Sequence, residues 1–141
     1  MKVVYSVAIE TGTIDIEYGV VVPDIIGCFS SGETFELALH NVKEAIEFHL
    51  ESLALDGQLP PPSTSINDHM ANLDFEGWVW SMVEIDITPY LGKSSKINVT
   101  LPNLLTKQID DFVKNNETFV NRSQFLQEAA RTKMESSEAR I

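Results

Sequence analysis

Cysteine is almost missing from this chain, with Cys28 the single one in 141 residues. No intramolecular disulfide and no thiolate metal cluster can form from it. Long apolar runs are missing too, and nothing approaches the ~20 residues that a membrane helix needs. The start, MKVVYSVAIE, alternates like a strand and lacks the three regions of a secretory signal. Glycine-rich phosphate loops, Ser-His-Asp spacings and Cys/His metal patterns do not occur. The expectation is a soluble, cytoplasmic, non-enzymatic chain with no cofactor, no metal and no membrane contact.

Basic residues are scarce in one part only. Residues 1–92 hold 15 Asp/Glu against Lys2 and Lys43, a net charge of −13. Residues 93–141 hold 8 Lys/Arg against 6 Asp/Glu, a net charge of +2. The overall −11 therefore averages two segments with different electrostatics, which points to two kinds of partner. An acidic surface repels phosphates and attracts a basic protein.

Alternation predicts a first strand over 3–9 and a second over 14–22, with Ile14, Ile16, Tyr18, Val20 and Val22 on one face. A short third strand follows at 26–30. Thr34 is a candidate N-cap, and Phe35, Ala38, Leu39, Val42, Ala45, Ile46, Leu50 and Leu53 recur at helical spacing up to a C-cap at Gly57. Pro60-Pro61-Pro62 enforces a loop, with a short helical turn expected within 66–73. Residues 78–87, rich in β-formers, make a strand apolar on both faces and so covered on both at its start. A β-β-β-α-β domain over 1–90 and a hinge over 91–95 result.

After the hinge, Ile97, Val99 and Leu101 alternate with Lys96, Asn98 and Thr100. Leu104, Leu105, Ile109, Phe112 and Val113 stripe one helix, and Phe125, Leu126, Ala129, Ala130 and Met134 a second, capped by Asn121 or Ser123. The connection has no glycine, so Asn115 or Asn116 is expected to take the left-handed conformation. Under 40 residues, 96–134 cannot close a sheet or bury its apolar faces alone. A second copy solves both problems, giving a homodimer whose paired strands fit the major groove of operator DNA. Lys96, Asn98 and Thr100 would face base edges. Asn121, Arg122 and Ser123, at a helix N-terminus, would meet a phosphate. The order of assembly beyond a dimer is not readable, and 135–141 is expected to be a flexible tail.

Residues KINVTLPNLLTKQIDDFVKNNETFVNRSQFLQEAAR resemble the ribbon-helix-helix (MetJ/Arc-like) family over its full length. Residues 18–39 carry Pro23-Asp24, Gly27-Cys28, Gly32-Glu33-Thr34 and then an amphipathic helix, and resemble the HicB antitoxin family, although Ile26 stands where that family often has a second proline. The resemblance implies an α+β chain with a partial RNase-H-like N-terminal domain lacking nuclease activity. It implies binding of a basic HicA-type mRNA-interferase toxin, covering of its active site, and repression of the antitoxin's own operon. Asp15, Glu17, Asp24 and Glu33 are the toxin-contact candidates. Alternatives are a stand-alone repressor with a ligand-sensing N-terminal domain and a vestigial metal-dependent nuclease. His49 is expected to be packed, His40 exposed, and Cys28 a small buried residue.

Overall fold

The computed structural model describes residues 1–138. The chain divides into two compact units, one spanning Lys2–Gly92 and the other beginning at Lys93.

In the first unit β1 (Lys2–Glu10), β2 (Tyr18–Val21), β3 (Phe29–Gly32) and β4 (Val79–Asp86) form one sheet in the order β3-β2-β1-β4. All three pairings are antiparallel. Register puts Val3, Tyr5, Val7 and Ile9 on one face with Ile85, Val83 and Val20. All seven are buried. The helix α1 (Phe35–Leu55) supplies the opposing stripe of Ala38, Val42, Ile46 and Leu50, each fully buried. Burying each Val, Ile or Leu contributes about 1.5–3 kcal/mol, so this stripe against the sheet is the unit's core. Both ends of α1 are specified locally. The Thr34 hydroxyl accepts from the Leu37 N–H at 3.1 Å. At the other end Gly57, at φ 74°, permits the paired bonds Gly57 N–H to Ala54 and Gln58 N–H to Leu53.

The strand boundaries depart from the alternation. β2 starts at Tyr18, not Ile14, because the Thr13 hydroxyl accepts the N–H groups of Asp15 and Ile16 and bends the chain. β3 starts at Phe29, not Ile26, because Val22 to Cys28 closes a turn through Gly27 at φ 81°. Cys28 is fully buried just ahead of β3, and burial pushes its thiol up to about 11.

The proline-rich segment has a defined place. β2 pairs only with Ala8–Glu10, which leaves the earlier part of β1 without a strand on that side. There the Ser63 hydroxyl donates to the Val4 carbonyl, and the Tyr5 hydroxyl donates to the Pro61 carbonyl at 2.7 Å. A five-residue helix α2 (Ile66–Met70) and a 3-10 turn (Leu73–Phe75) follow. Phe75 contacts Trp78 and Trp80 edge-on, so the opening of β4 is covered on its second face as well.

In the second unit, Lys96–Leu101 has no regular secondary structure in the single chain. A strand needs a neighbour, and one copy supplies none. Then α3 (Asn103–Lys114) and α4 (Arg122–Glu138) pack around Phe112, Phe119 and Phe125, whose ring centroids lie 5.4–5.9 Å apart. Neither Asn115 nor Asn116 is left-handed. The Asn115 amide instead donates to the Asp111 carbonyl, and the Asn116 side chain accepts from the Thr118 N–H, which turns the chain without positive φ. α4 continues past Met134 through 135–138, supported by the Arg131–Glu135 pair at 3.1 Å. The rest of the expected tail, 139–141, lies outside the described residues.

Candidate functional site

The four acidic candidates of the first unit separate into two groups. Tyr18 and Gly32 are directly paired, so Glu17 and Glu33, the residues just beyond that pair, sit at the same end of the sheet. Asp15 belongs to the bend that precedes β2 at this end, and all three are exposed. Glu10 and Glu36 join them at the end of β1 and the start of α1. No Lys or Arg lies there: Lys2 is at the opposite end of β1, paired with Glu84 at 3.3 Å, and Lys43 is in the middle of α1. This end of the sheet is uniformly negative.

Asp24 is elsewhere and differently used. Its connection lies at the opposite end, and its side chain is only 6% exposed. One carboxylate oxygen is 2.9 Å from His69 Nε2, and the other accepts the Thr64 N–H at 2.8 Å. His69 in turn stacks on Trp80, with ring planes 12° apart. A buried carboxylate with both oxygens occupied is a fastener for the 60–77 segment and has no oxygen aimed at a partner. The expected contact role of Asp24 is therefore corrected. His69 was not singled out by sequence, because its partner is 45 residues away and no spacing rule links them.

Negative potential extends along the unit. Tyr90 follows β4 and lines a shallow cavity of about 450 Å³ with Glu51, Ala54, Leu55 and Pro89. Its phenol is held above the ordinary value by burial, then by the charges of Glu47, Glu51 and Asp86. α1 also ends without a basic residue in its last turn, so its dipole adds to the negative field there. His40 is exposed and pairs with Glu44, while His49 is half-buried against Phe48. Among the described residues, no three His, Cys, Asp or Glu side chains gather as a metal site. No described helix is long and apolar enough to cross a membrane.

The DNA candidates are also divided by their surroundings. Lys96, Asn98 and Thr100 are exposed. Asn121 caps α4, its side chain accepting the Gln124 N–H at 2.9 Å, while Gln124 accepts from the Val120 N–H. The Arg122 guanidinium forms two bonds to Asp110, at 2.9 and 2.6 Å. Two of the three phosphate candidates thus have structural work of their own, and Ser123 is exposed beside them. Around these polar groups a large apolar area is uncovered: Ile97 is 78% exposed and Leu104 77%, with Val99, Leu105, Phe112 and Val120 also open.

The model of the HicB-like antitoxins of bacterial toxin-antitoxin systems matches residues 5–130. The chain belongs to this family. An uncharacterized 14.9 kDa protein from the rep-hol intergenic region of Haemophilus phage HP1 is 37% identical over 133 residues, covering 94% of this chain and 98% of the relative. The crystal structure of antitoxin HicB3 is 36% identical with a TM-score of 0.76, over 93% of this chain and 97% of that one. A chain in a HicA3 and HicB3 toxin-antitoxin complex is 32% identical with a TM-score of 0.51, over 60% of this chain and 99% of that one. The mixed α+β fold with its four-stranded antiparallel sheet is thus shared with HicB antitoxins.

Proposed function

We propose that this antitoxin-family chain neutralises a HicA-type mRNA interferase by covering its active site with the first unit, and represses its own operon through the second. Neutralisation needs no chemistry from this chain. Steric cover and charge complementarity suffice, and Asp15, Glu17 and Glu33 are the carboxylates placed to provide the charge. The observation that carries this half is a sheet end bearing five carboxylates and no cation, in a unit of net charge −13. Such a field speeds encounter with a basic protein and rejects RNA and DNA.

For the second unit, the reading is a ribbon-helix-helix homodimer bound to operator DNA. Its support is the exposed apolar face of Ile97, Val99, Leu104 and Leu105, flanking an extended segment that has no strand partner. Two copies would pair Lys96–Leu101 as an antiparallel ribbon and bury that face. Lys96, Asn98 and Thr100 would then project on the ribbon's other side, where lysine suits guanine and asparagine suits adenine. Phosphate would be met by the free N–H groups at the start of α4 and by Ser123.

Both halves are tested with the full chain, the HicA-type protein encoded beside it, and its promoter DNA. Tight binding to the toxin and loss of its RNase activity on mixing are expected. Asn98→Ala should weaken operator binding about 5- to 150-fold, the range for one bidentate base contact, and leave toxin binding unchanged. Absence of toxin binding would overturn the antitoxin half. A loss of both activities in Asn98→Ala would overturn their separation into two units. A small-molecule-dependent change in operator affinity, without any protein partner, would favour a ligand-sensing repressor instead.

A further inference from the structure

The bend between β1 and β2 carries an apolar feature that the core does not use. Ile14 is fully exposed, at 103%, and Ile16 is 65% exposed. A single exposed isoleucine is ordinary on a protein surface. These two share one bend whose backbone is fixed from several directions. The Thr13 hydroxyl accepts the N–H groups of both Asp15 and Ile16, and the Thr13 N–H donates to the Ile16 carbonyl at 2.8 Å. Gly12 lies so close to the Ile16 carbonyl and the Glu17 backbone that a Cβ there would collide with both. The tip thus holds two branched side chains out in water, and little conformational entropy remains to be lost when a partner covers them.

Asp15 and Glu17 alternate with the isoleucines, and Glu10, Glu33 and Glu36 stand at the same end of the sheet. We infer that Ile14 and Ile16 form an apolar anchor that enters a crevice on the basic toxin, with the surrounding carboxylates engaging lysines and arginines at the crevice's rim. The inference rests on the antitoxin reading above and narrows it to one surface. The occupant follows from charge. A second copy would bring five more carboxylates against these, and a nucleic acid would bring phosphates, so both are repelled. An apolar centre with a charged rim is the usual anatomy of a protein interface, in which a few central side chains carry most of the affinity.

The test uses the full chain and the HicA-type protein encoded beside it, with affinity measured by titration calorimetry. An Ile14→Ala, Ile16→Ala double variant should lose roughly 30-fold or more, the scale of an interface anchor. Ile14→Asp should lose at least as much. Ile26→Asp is the control. Ile26 is 97% exposed in the β2–β3 connection at the opposite end of the sheet, and its variant should bind within about threefold of the unaltered chain. Thermal melts should be unchanged in all three, since no core contact is removed. If the double variant binds within threefold of the unaltered chain, the anchor is wrong while the antitoxin reading stands. An equal loss in Ile26→Asp would also overturn it. If the unaltered chain does not bind at all, the antitoxin reading fails and the anchor fails with it. Altered self-association in the double variant, with toxin affinity unchanged, would make a second copy the occupant and overturn the proposal.

Discussion

Residues 2–92 hold Tyr5, Val7, Ile9, Ile46 and Leu50 wholly out of solvent, whereas the second unit leaves Ile97, Leu104 and Val120 mostly in it. The apolar residues are similar in kind, but their number and arrangement differ. The first unit has a four-stranded sheet and a 21-residue helix to set against each other. The second has two helices and an extended segment, enough to enclose Ile109 and part of a phenylalanine trio. A unit that closes its own core can be stable as one copy. A unit that cannot must be completed by another chain, and its stability then depends on concentration.

The strongest way to break this contrast is to alter the open face. Val99→Lys puts a charge where the proposed ribbon would bury a methyl pair. It should convert the dimer to a monomer and lower operator affinity by about 1,000-fold or more, toward the non-specific level. Sedimentation velocity and operator gel shifts read both effects, while toxin binding is unaffected. An intact dimer in this variant would remove the reason for treating the second unit as incomplete.

In the closed unit the corresponding change acts without reference to a partner. Ile46→Ala should cost about 2–5 kcal/mol, because it opens a cavity that α1 and the sheet cannot collapse around. Urea denaturation should show the same loss at low and high protein concentration. A loss that disappears on dilution would mean that the first unit, too, relies on another copy.

The latch of the first unit is a smaller test. Asp24→Asn weakens the carboxylate bonds to His69 and the Thr64 N–H and should cost about 1.5–3 kcal/mol, the scale of hydrogen bonds to a charged group. Trp80 lies under His69, so its fluorescence should report the loosening of the 60–77 segment before global unfolding. Unaltered toxin affinity at low denaturant would agree with a fastening role for Asp24.

The two units were unequally legible in sequence. α1 could be located within two residues because Thr34, the apolar stripe and Gly57 each act locally. The β4 strand and its double cover followed from Trp78–Ile87 in the same way. Alternation failed at Ile14 and Ile16, where a hydroxyl and a glycine outweigh the apolar pattern, and those residues became the exposed tip. The fastening of the 60–77 segment was not legible, since Asp24, Thr64, His69 and Trp80 meet only after the chain has folded. In the second unit the helices and exposed polar residues were readable, while the engagement of Arg122 was not. Nothing in the spacing of Asp110 and Arg122 marks a pair across two helices.

That pair gives the smallest and most discriminating change. The two bonds from Arg122, and then its charge, hold the Asp110 carboxyl below its ordinary value of 3.8. A depressed carboxyl contributes stability that is present above its unfolded value and is lost as pH falls through the folded one. Asp110→Asn should therefore remove one component of the acid sensitivity of the α3–α4 packing below about pH 4, seen as a shallower fall of helical ellipticity. The same substitution removes the carboxylate that neutralises Arg122 at the start of α4. If Arg122 can then reach a phosphate, operator affinity rises a few-fold, and the logarithmic salt slope steepens by about 0.9, the increment for one contact. If the slope is unchanged, Arg122 serves only to join α3 to α4. The phosphate would then be held by the helix N-terminus and Ser123, and the open unit would read DNA with fewer charges than its composition suggests.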